Sequence, residues 1–146
     1  MALSAASPSD RATQLIALTI RLGERLVGET ACLEAHRPQD IYEGIEETRN
    51  LSNLYRHELM RIKSDPSLLN GLTANEKKAL REATELFQER LHRYELAVTA
   101  AKTVTEGIIS AVAEDLSARR TQNSPYGARG RRVVTGPQSF NFGKNA

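Results

Sequence analysis

Residues 73–119 read TANEKKALREATELFQERLHRYELAVTAAKTVTEGIISAVAEDLSAR, and this stretch decides the fold. Its mostly apolar seam recurs at alternating steps of four and three, which is the spacing of one helix face and not of a strand. The members of this seam are Leu80, Thr84, Phe87, Leu91, Tyr94, Val98, Ala101, Thr105, Ile108 and Val112. Thr73 and Glu76 form a capping-box pattern that marks a helix start. Because no proline occurs between residues 67 and 124, one helix over about 74–119 is predicted.

A shorter amphipathic helix opens the chain. Leucines that recur mostly at three- and four-residue steps predict it over about 9–37. It is expected to end before Pro38, because proline disfavours the helical conformation in the residue that precedes it.

A second short helix is predicted over about 39–63, where a heptad-like seam starts at Ile41. Charged residues, Glu58 among them, lie largely outside this seam. The loops between the helices are short, so neighbouring helices run antiparallel. The predicted fold class is all-α: an antiparallel three-helix bundle or coiled coil with a long third helix and a disordered C-terminal tail.

Composition divides the chain into three segments. Residues 1–8 are predicted to be a flexible N-terminus and residues 9–120 the helical bundle. Residues 121–146 contain prolines and glycines without an apolar period, and are predicted to be a disordered basic tail. All 18 acidic residues lie at or before Asp115, whereas six of the 20 basic residues follow residue 118. The body is therefore mildly acidic and the tail basic.

The sequence offers few groups for catalysis or for metal binding. It contains one cysteine and three histidines that lie far apart, and no metal-ligand or phosphate-binding motif. Adjacent acidic residues such as Glu46 and Glu47 point to different faces of a helix and do not form an acid–base couple. We therefore expect no enzymatic activity, no metal ion and no cofactor.

The location in the cell is inferred from the N-terminus and from hydropathy. Residues 1–10 carry neither a basic region nor a continuous apolar run, so a secretory signal is not expected. No stretch approaches about 18 consecutive apolar residues, so neither a transmembrane helix nor membrane insertion is expected. The single Cys32 excludes an internal disulfide and fits a reducing compartment. A soluble, cytoplasmic protein is predicted.

The predicted helices differ in length. The first would be about 42 Å long and the third about 69 Å, so about 15 to 20 residues at the C-terminal end of the third helix lack an internal partner. Their apolar stripe is typical of a surface that binds an amphipathic helix of another protein. The predicted client-binding residues are Val98, Ala101, Val104, Ile108, Ile109, Val112 and Leu116.

Two other arrangements would also cover this stripe. A homodimer would bury it, and a break at Gly107, where glycine weakens the helix, would let the helix fold back. A structural coiled-coil or dimerising adaptor without an export role is therefore the alternative function. Nucleic-acid binding through Arg129, Arg131 and Arg132 is a weaker third hypothesis, because the body is acidic and the tail charges are few.

The segment after the last helix resembles that of a known family. Ser124-Pro125 precede Tyr126-Gly127-Ala128-Arg129-Gly130. This Tyr-Gly-Ala-x-Gly pattern, placed behind a long last helix, resembles the FlgN family of flagellar export chaperones. Elsewhere in the chain only the periodic helical pattern is similar.

This resemblance implies a cytoplasmic, non-enzymatic chaperone of type III flagellar export. Such a chaperone binds the C-terminal helical region of hook-associated (hook–filament junction) proteins and delivers them to the export gate. The resemblance also implies that the last helix carries the client surface. Tyr126 would dock on the cytoplasmic domain of the gate, with Gly127 letting the backbone lie close, and the export ATPase is a further candidate partner. No family motif matches Arg131, Arg132, Phe140 or Phe142, so their roles stay open.

Overall fold

The computed structural model describes residues 2–123, and these residues form three α-helices and no strand. Helix α1 spans Pro8–Glu34, α2 spans Ile45–Ser64 and α3 spans Ala74–Asn123. The predicted all-α bundle with a long third helix is confirmed. The predicted tail falls almost entirely on residues 124–146, which lie outside the described residues.

Two short 3₁₀ helices connect the α-helices. The first, Pro38–Gly44, occupies a stretch that was predicted to be α-helical from residue 39. The second, Pro66–Leu69, lies between α2 and α3. Each starts with a proline, whose fixed φ suits a first helical position and whose missing amide hydrogen costs no hydrogen bond there.

The helix ends differ from the predicted ones by a few residues. Helix α1 ends at Glu34, three residues before the predicted end, because His36 has a φ of 56° that no α-helix can continue. The amide of Arg37 donates to the carbonyl of Cys32 at 2.8 Å, which satisfies a carbonyl of the last turn. Helix α3 continues to Asn123, four residues beyond the predicted end.

The start of α3 shows the capping box that the sequence predicts. The amide of Glu76 donates to the Thr73 hydroxyl at 3.3 Å, and the amide of Thr73 donates to Glu76 Oε2 at 2.7 Å. These bonds satisfy amides that have no partner within the helix. The hydroxyl of Ser9 also donates to Glu76, which ties the start of α1 to the start of α3.

The hydrophobic core lies where the three helices meet. Its residues are Leu22 and Leu26 of α1, Leu51 and Tyr55 of α2, and Phe87, Leu91 and Tyr94 of α3. The rings of Tyr55 and Phe87 pack with their centroids 5.0 Å apart and their planes tilted by 53°. Full burial of one such leucine or phenylalanine side chain contributes about 1.5–3 kcal/mol. Three members of the predicted α3 seam therefore hold this helix against α1 and α2.

The segment before α1 is held by hydrogen bonds. The amide of Leu3 donates to Glu58 Oε1 at 2.8 Å, and the side chain of Gln14 donates to the carbonyl of Ser4 at 2.9 Å. Residues 1–8 were predicted to be flexible, whereas these bonds attach the described part of that segment to α1 and α2. The sequence gives no signal for this, because the acceptor Glu58 lies 55 residues away from Leu3.

Gly23 allows α1 and α3 to approach each other closely. A Cβ atom at this position would lie 3.1 Å from Arg90 Nη1 and 3.6 Å from Phe87 Cδ2. The arginine tip can move away, whereas the ring belongs to the core. We expect Gly23→Val to lower the free energy of unfolding by about 2 kcal/mol through overpacking. Gly23→Ala should change it by less than about 1 kcal/mol, because better helix propensity offsets the shift of Arg90. Urea denaturation measures both values, and equal stability of the two variants would contradict this account.

The chain divides into two units, Met1–Thr105 and Glu106–Ala146. The first unit contains α1, α2 and the greater part of α3, together with the core. Of the second unit, the structure describes residues 106–123, which all belong to α3.

Candidate helical binding surface

The predicted client-binding residues all lie on α3. Val98, Ala101 and Val104 belong to the first unit, and Ile108, Ile109, Val112 and Leu116 belong to the second. These positions hold only alanine, valine, isoleucine and leucine, so the side of the helix on which they lie carries few polar side chains. The local sequence therefore builds an apolar helix surface, whatever covers it.

In the second unit this surface is exposed to water. The exposed fractions are 60% for Ile108, 63% for Ile109, 53% for Val112 and 53% for Leu116. Every residue from 106 to 123 is exposed. Soluble proteins rarely leave neighbouring large apolar side chains so open unless they bind something. These four residues therefore form the strongest candidate for a binding surface among the described residues.

In the first unit the predicted residues are less open. Val104 and Val98 are exposed, and Ala101 is half-buried. Leu96 is also exposed but was not among the predicted client-binding residues, because it lies off the four-and-three seam. The signal that could have identified Leu96 is its place in an 18-residue stretch, 96–113, that contains only two charged residues.

A second apolar feature lies beside the core. A groove of about 360 Å³ runs between α2 and α3, and core side chains of all three helices contribute to its lining. Leu59 is exposed at this groove, and Tyr55 and Tyr94 are half-buried there. The sequence places Tyr55, Leu59 and Tyr94 on helix seams. It does not indicate that a groove remains between these seams.

Among the described residues, the ionisable groups with shifted pKa values lie at helix ends or in and around the core. The hydrogen bond from the Ser9 hydroxyl is the main cause that lowers the pKa of Glu76 below the usual glutamate range, and the hydrogen bonds from Thr73 lower it further. The amide of Ala6 and the side chain of Gln14 lower the pKa of Asp10. These carboxylates accept bonds that fix helix starts, and neither lies in a cleft with a base or a nucleophile.

Residues 2–123 contain no group of three or more His, Cys, Asp or Glu residues that could hold a metal ion. In the same range every buried side-chain nitrogen or oxygen atom has a hydrogen-bond partner. A buried polar atom without a partner would have indicated a ligand site.

Helix α3 includes a stretch of high mean hydropathy, although it contains no long run of consecutive apolar residues. It contains an 18-residue window with a mean hydropathy of 1.3, none of which is buried, so by length and composition α3 could cross a membrane. The expectation of no transmembrane helix rested on uninterrupted apolar runs, which this window lacks. Helices of soluble proteins pass the same test, so cytoplasmic location stays a prediction.

Tyr126 and Gly127, the predicted export-gate contacts, lie outside the described residues. The same holds for Arg131, Arg132, Phe140 and Phe142 in the basic tail. The gate-docking role of Tyr126 and Gly127 therefore stays a prediction, and the roles of the other four residues stay open.

A relative with a flagellar name is similar over most of the chain. The chain is 40% identical to the flagellar basal-body protein FlbY of Caulobacter vibrioides over 131 residues, which cover 89% of this chain and 88% of that protein. The chain belongs to the FlbY family. No protein-family model matches it, and no solved structure matches it. Membership of the FlbY family makes this a flagellar protein and agrees with the flagellar part of the FlgN resemblance.

Proposed function

We propose that this flagellar protein is a non-enzymatic export chaperone of the cytoplasm. It binds the C-terminal helical region of hook-associated proteins and delivers these clients to the type III export gate. The flagellar role follows from membership of the FlbY family. The chaperone role is supported by the apolar surface of α3 and by the Tyr-Gly-Ala-x-Gly segment that resembles the FlgN family.

One observation carries the proposal. Ile108, Ile109, Val112 and Leu116 are each more than half exposed, on a helix that is described as far as Asn123. Exposure of such an apolar surface to water costs about 25 cal/mol of free energy for each Å² of apolar area left uncovered. A partner helix with its own apolar face removes that cost on both sides. Helical export clients would supply such a face.

The test is a direct binding measurement with purified proteins. The full chain is mixed with the C-terminal helical region of a hook-associated protein from the same organism, and the molar mass of the mixture is measured by light scattering after size exclusion. The proposal expects a complex of the two proteins. Failure of every hook-associated region to form a complex would contradict it.

The same measurement distinguishes the alternative function. A dimerising adaptor would use the exposed α3 surface for a second copy of the chain. It would show twice the monomer mass without any client and would bind no hook-associated region. We expect instead a monomer that takes up a client.

Replacement of Tyr126 by alanine separates client capture from delivery. We expect the Tyr126→Ala variant to bind the client with unchanged affinity, because the substitution removes no residue of the α3 surface. Its binding to the isolated cytoplasmic domain of the export gate should weaken about tenfold or more, since an aromatic anchor in an interface contributes about 2 kcal/mol or more. Titration of both partners by calorimetry measures the two affinities. Unchanged binding to the gate domain would remove the assigned role of Tyr126.

The basic tail bears on the hypothesis of nucleic-acid binding. Phosphate contacts from a few arginines produce only weak, salt-sensitive binding. We therefore expect no specific nucleic-acid affinity at physiological salt.

A further inference from the structure

A row of basic side chains runs along α2 beside its seam. Arg49, Arg56 and Lys63 recur every seven residues, so they lie on one side of the helix, and all three are exposed. Arg49 pairs with Glu46, with 3.2 Å between Nη1 and Oε1. Leu59 is 43% exposed at the groove between α2 and α3, three residues after Arg56 and four before Lys63. The open apolar side chain of this groove is therefore flanked by two cations.

The α3 side of the same interface also carries basic residues. A second groove, of about 570 Å³, lies between the second 3₁₀ helix and the start of α3, and Lys77 and Arg81 contribute to its lining. The lining extends along α3 to Gln88, one residue beyond Phe87 of the first groove. The two grooves therefore follow one another along α3. The apolar side chains in the second groove are Leu69, Leu72 and Leu80.

The free cations of the first unit all belong to these grooves. Among its described residues, the exposed lysine and arginine side chains without an ion-pair partner are Arg56, Lys63, Lys77 and Arg81. Glu85 is the acidic residue that lines the second groove, whereas the first has none, and Glu95 lines neither. Unpaired cations beside an interface select a partner of opposite charge. An acidic partner with an apolar face therefore matches this surface.

A partner helix fits both the shape of the grooves and the spacing of the charges. A groove between two helices accommodates a third helix, whose side chains pack between theirs. Acidic residues seven apart on that helix would face Arg56 and Lys63 in turn, as charged residues beside a coiled-coil seam do. A nucleic acid would meet the cations through its phosphates and leave the apolar side chains of the grooves uncovered.

We propose that the grooves between α2 and α3 bind an amphipathic helix whose apolar face is flanked by glutamate or aspartate at heptad spacing. This inference goes beyond the proposed chaperone function and does not rest on it. Its residues lie in the first unit and are different from the proposed client-binding residues. The chain would then have a second docking surface, for a partner of defined charge.

Two synthetic peptides test the charge requirement. The probe has about three heptads, with leucine at both seam positions and glutamate at both flanking positions, and the control carries lysine in place of each glutamate. Like charges keep either peptide from pairing with itself. Binding to the full chain is measured by fluorescence anisotropy at about 150 mM salt, where charges more than about 8 Å apart in water are largely screened.

The glutamate peptide should bind about tenfold or more tightly than the lysine peptide, because like charges oppose each other across an interface. Arg56→Glu should weaken its binding about tenfold or more, and Leu59→Ala about fivefold or more through lost apolar contact. The matched control is Lys78→Glu, the same change of charge on an exposed residue that lines neither groove. It should change the affinity less than about threefold. Circular dichroism checks that each variant keeps the parent fold.

The same set of proteins supplies the contrary outcomes. Equal affinities for the two peptides, or no binding of the glutamate peptide, would overturn the proposal. Binding that Leu59→Ala leaves unchanged would be attraction of charge alone and would overturn it as well. Tighter binding to phosphatidylserine vesicles or to a single-stranded oligonucleotide, lost in Arg56→Glu, would assign the surface to lipid or nucleic acid instead. A doubled mass of the free chain by light scattering, lost in Arg56→Glu, would assign it to a second copy of this chain.

Discussion

Replacement of Ile108 by glutamate is expected to abolish client binding. Ile108 is 60% exposed in the free chain, so a carboxylate there meets water and costs little. In the complex the same carboxylate would be buried among apolar side chains of the client without a partner. An unpaired buried charge costs about 3 kcal/mol or more, which corresponds to at least about a hundredfold loss of affinity.

The matched control for Ile108→Glu is Ser117→Glu. It adds the same charge to the same unit, on the polar helix face that also holds Ser110 and Glu114. Arg120, three residues later, can offset the repulsion from Glu114. We expect both variants to keep the helicity of the parent by circular dichroism, since glutamate is a good helix former. Calorimetric titration with the client should show loss of binding for Ile108→Glu alone. Equal affinities of the two variants would exclude this part of α3 from the client surface.

The long helix and its contact residues follow from local sequence. The Thr73–Glu76 capping box fixes the start of α3, and the four-and-three spacing selects Phe87, Leu91 and Tyr94 for the core. Both patterns involve residues that are close in sequence, so they can be recognised without knowledge of the fold. The 3₁₀ helix before α2 was missed because its apolar residue Ile41 also fits a helical period.

The attachment of the N-terminal segment could not be predicted in this way. Glu58 lies among charged residues outside the α2 seam and has the pattern of a solvated surface residue, yet it is fully buried. Its partner Arg11 is 47 residues away in the chain, so no spacing rule connects them. The candidate surface shows the same limit: its apolar residues are in the sequence, but the sequence does not identify the proposed partner that would cover them.

Replacement of Glu58 by glutamine is expected to lower the free energy of unfolding by about 3 kcal/mol. Arg11 Nη1 donates to Glu58 Oε2 at 2.7 Å, and the side chains of both residues are buried, with exposed fractions of 8% and 0%. Glu58 also accepts from the amide of Leu3 and from Arg61. Glutamine keeps the shape but leaves Arg11 as a buried cation without a counter-charge, which costs about 3 kcal/mol.

The control for Glu58→Gln is Glu34→Gln, the same chemical change in an exposed ion pair. Arg93 donates two hydrogen bonds to Glu34, at 3.1 and 3.0 Å, but both side chains are largely in water. Solvent screening limits such a pair to about 1 kcal/mol or less. Urea denaturation at neutral pH should therefore separate the two variants clearly. A loss for Glu58→Gln no larger than that for Glu34→Gln would show that the Arg11–Glu58 pair does not hold the fold together.

The Glu58 carboxylate also makes stability depend on pH in a defined direction. Burial alone would raise the pKa of Glu58, but the bond from the Leu3 amide and the charges of Arg61 and Arg11 outweigh it and hold the pKa below the usual range. A pKa lowered by folding adds stability above the glutamate pKa in the unfolded chain, about 4.3, and this stability is lost as the pH falls through the folded value. The difference in unfolding free energy between the parent and Glu58→Gln should therefore be constant from pH 7 to about 5 and shrink at lower pH. Asp10 and Glu76 lose their contributions in both proteins, so the difference reports on Glu58. A difference that grows on acidification would mean that folding raises the pKa of Glu58, and that burial outweighs its three partners.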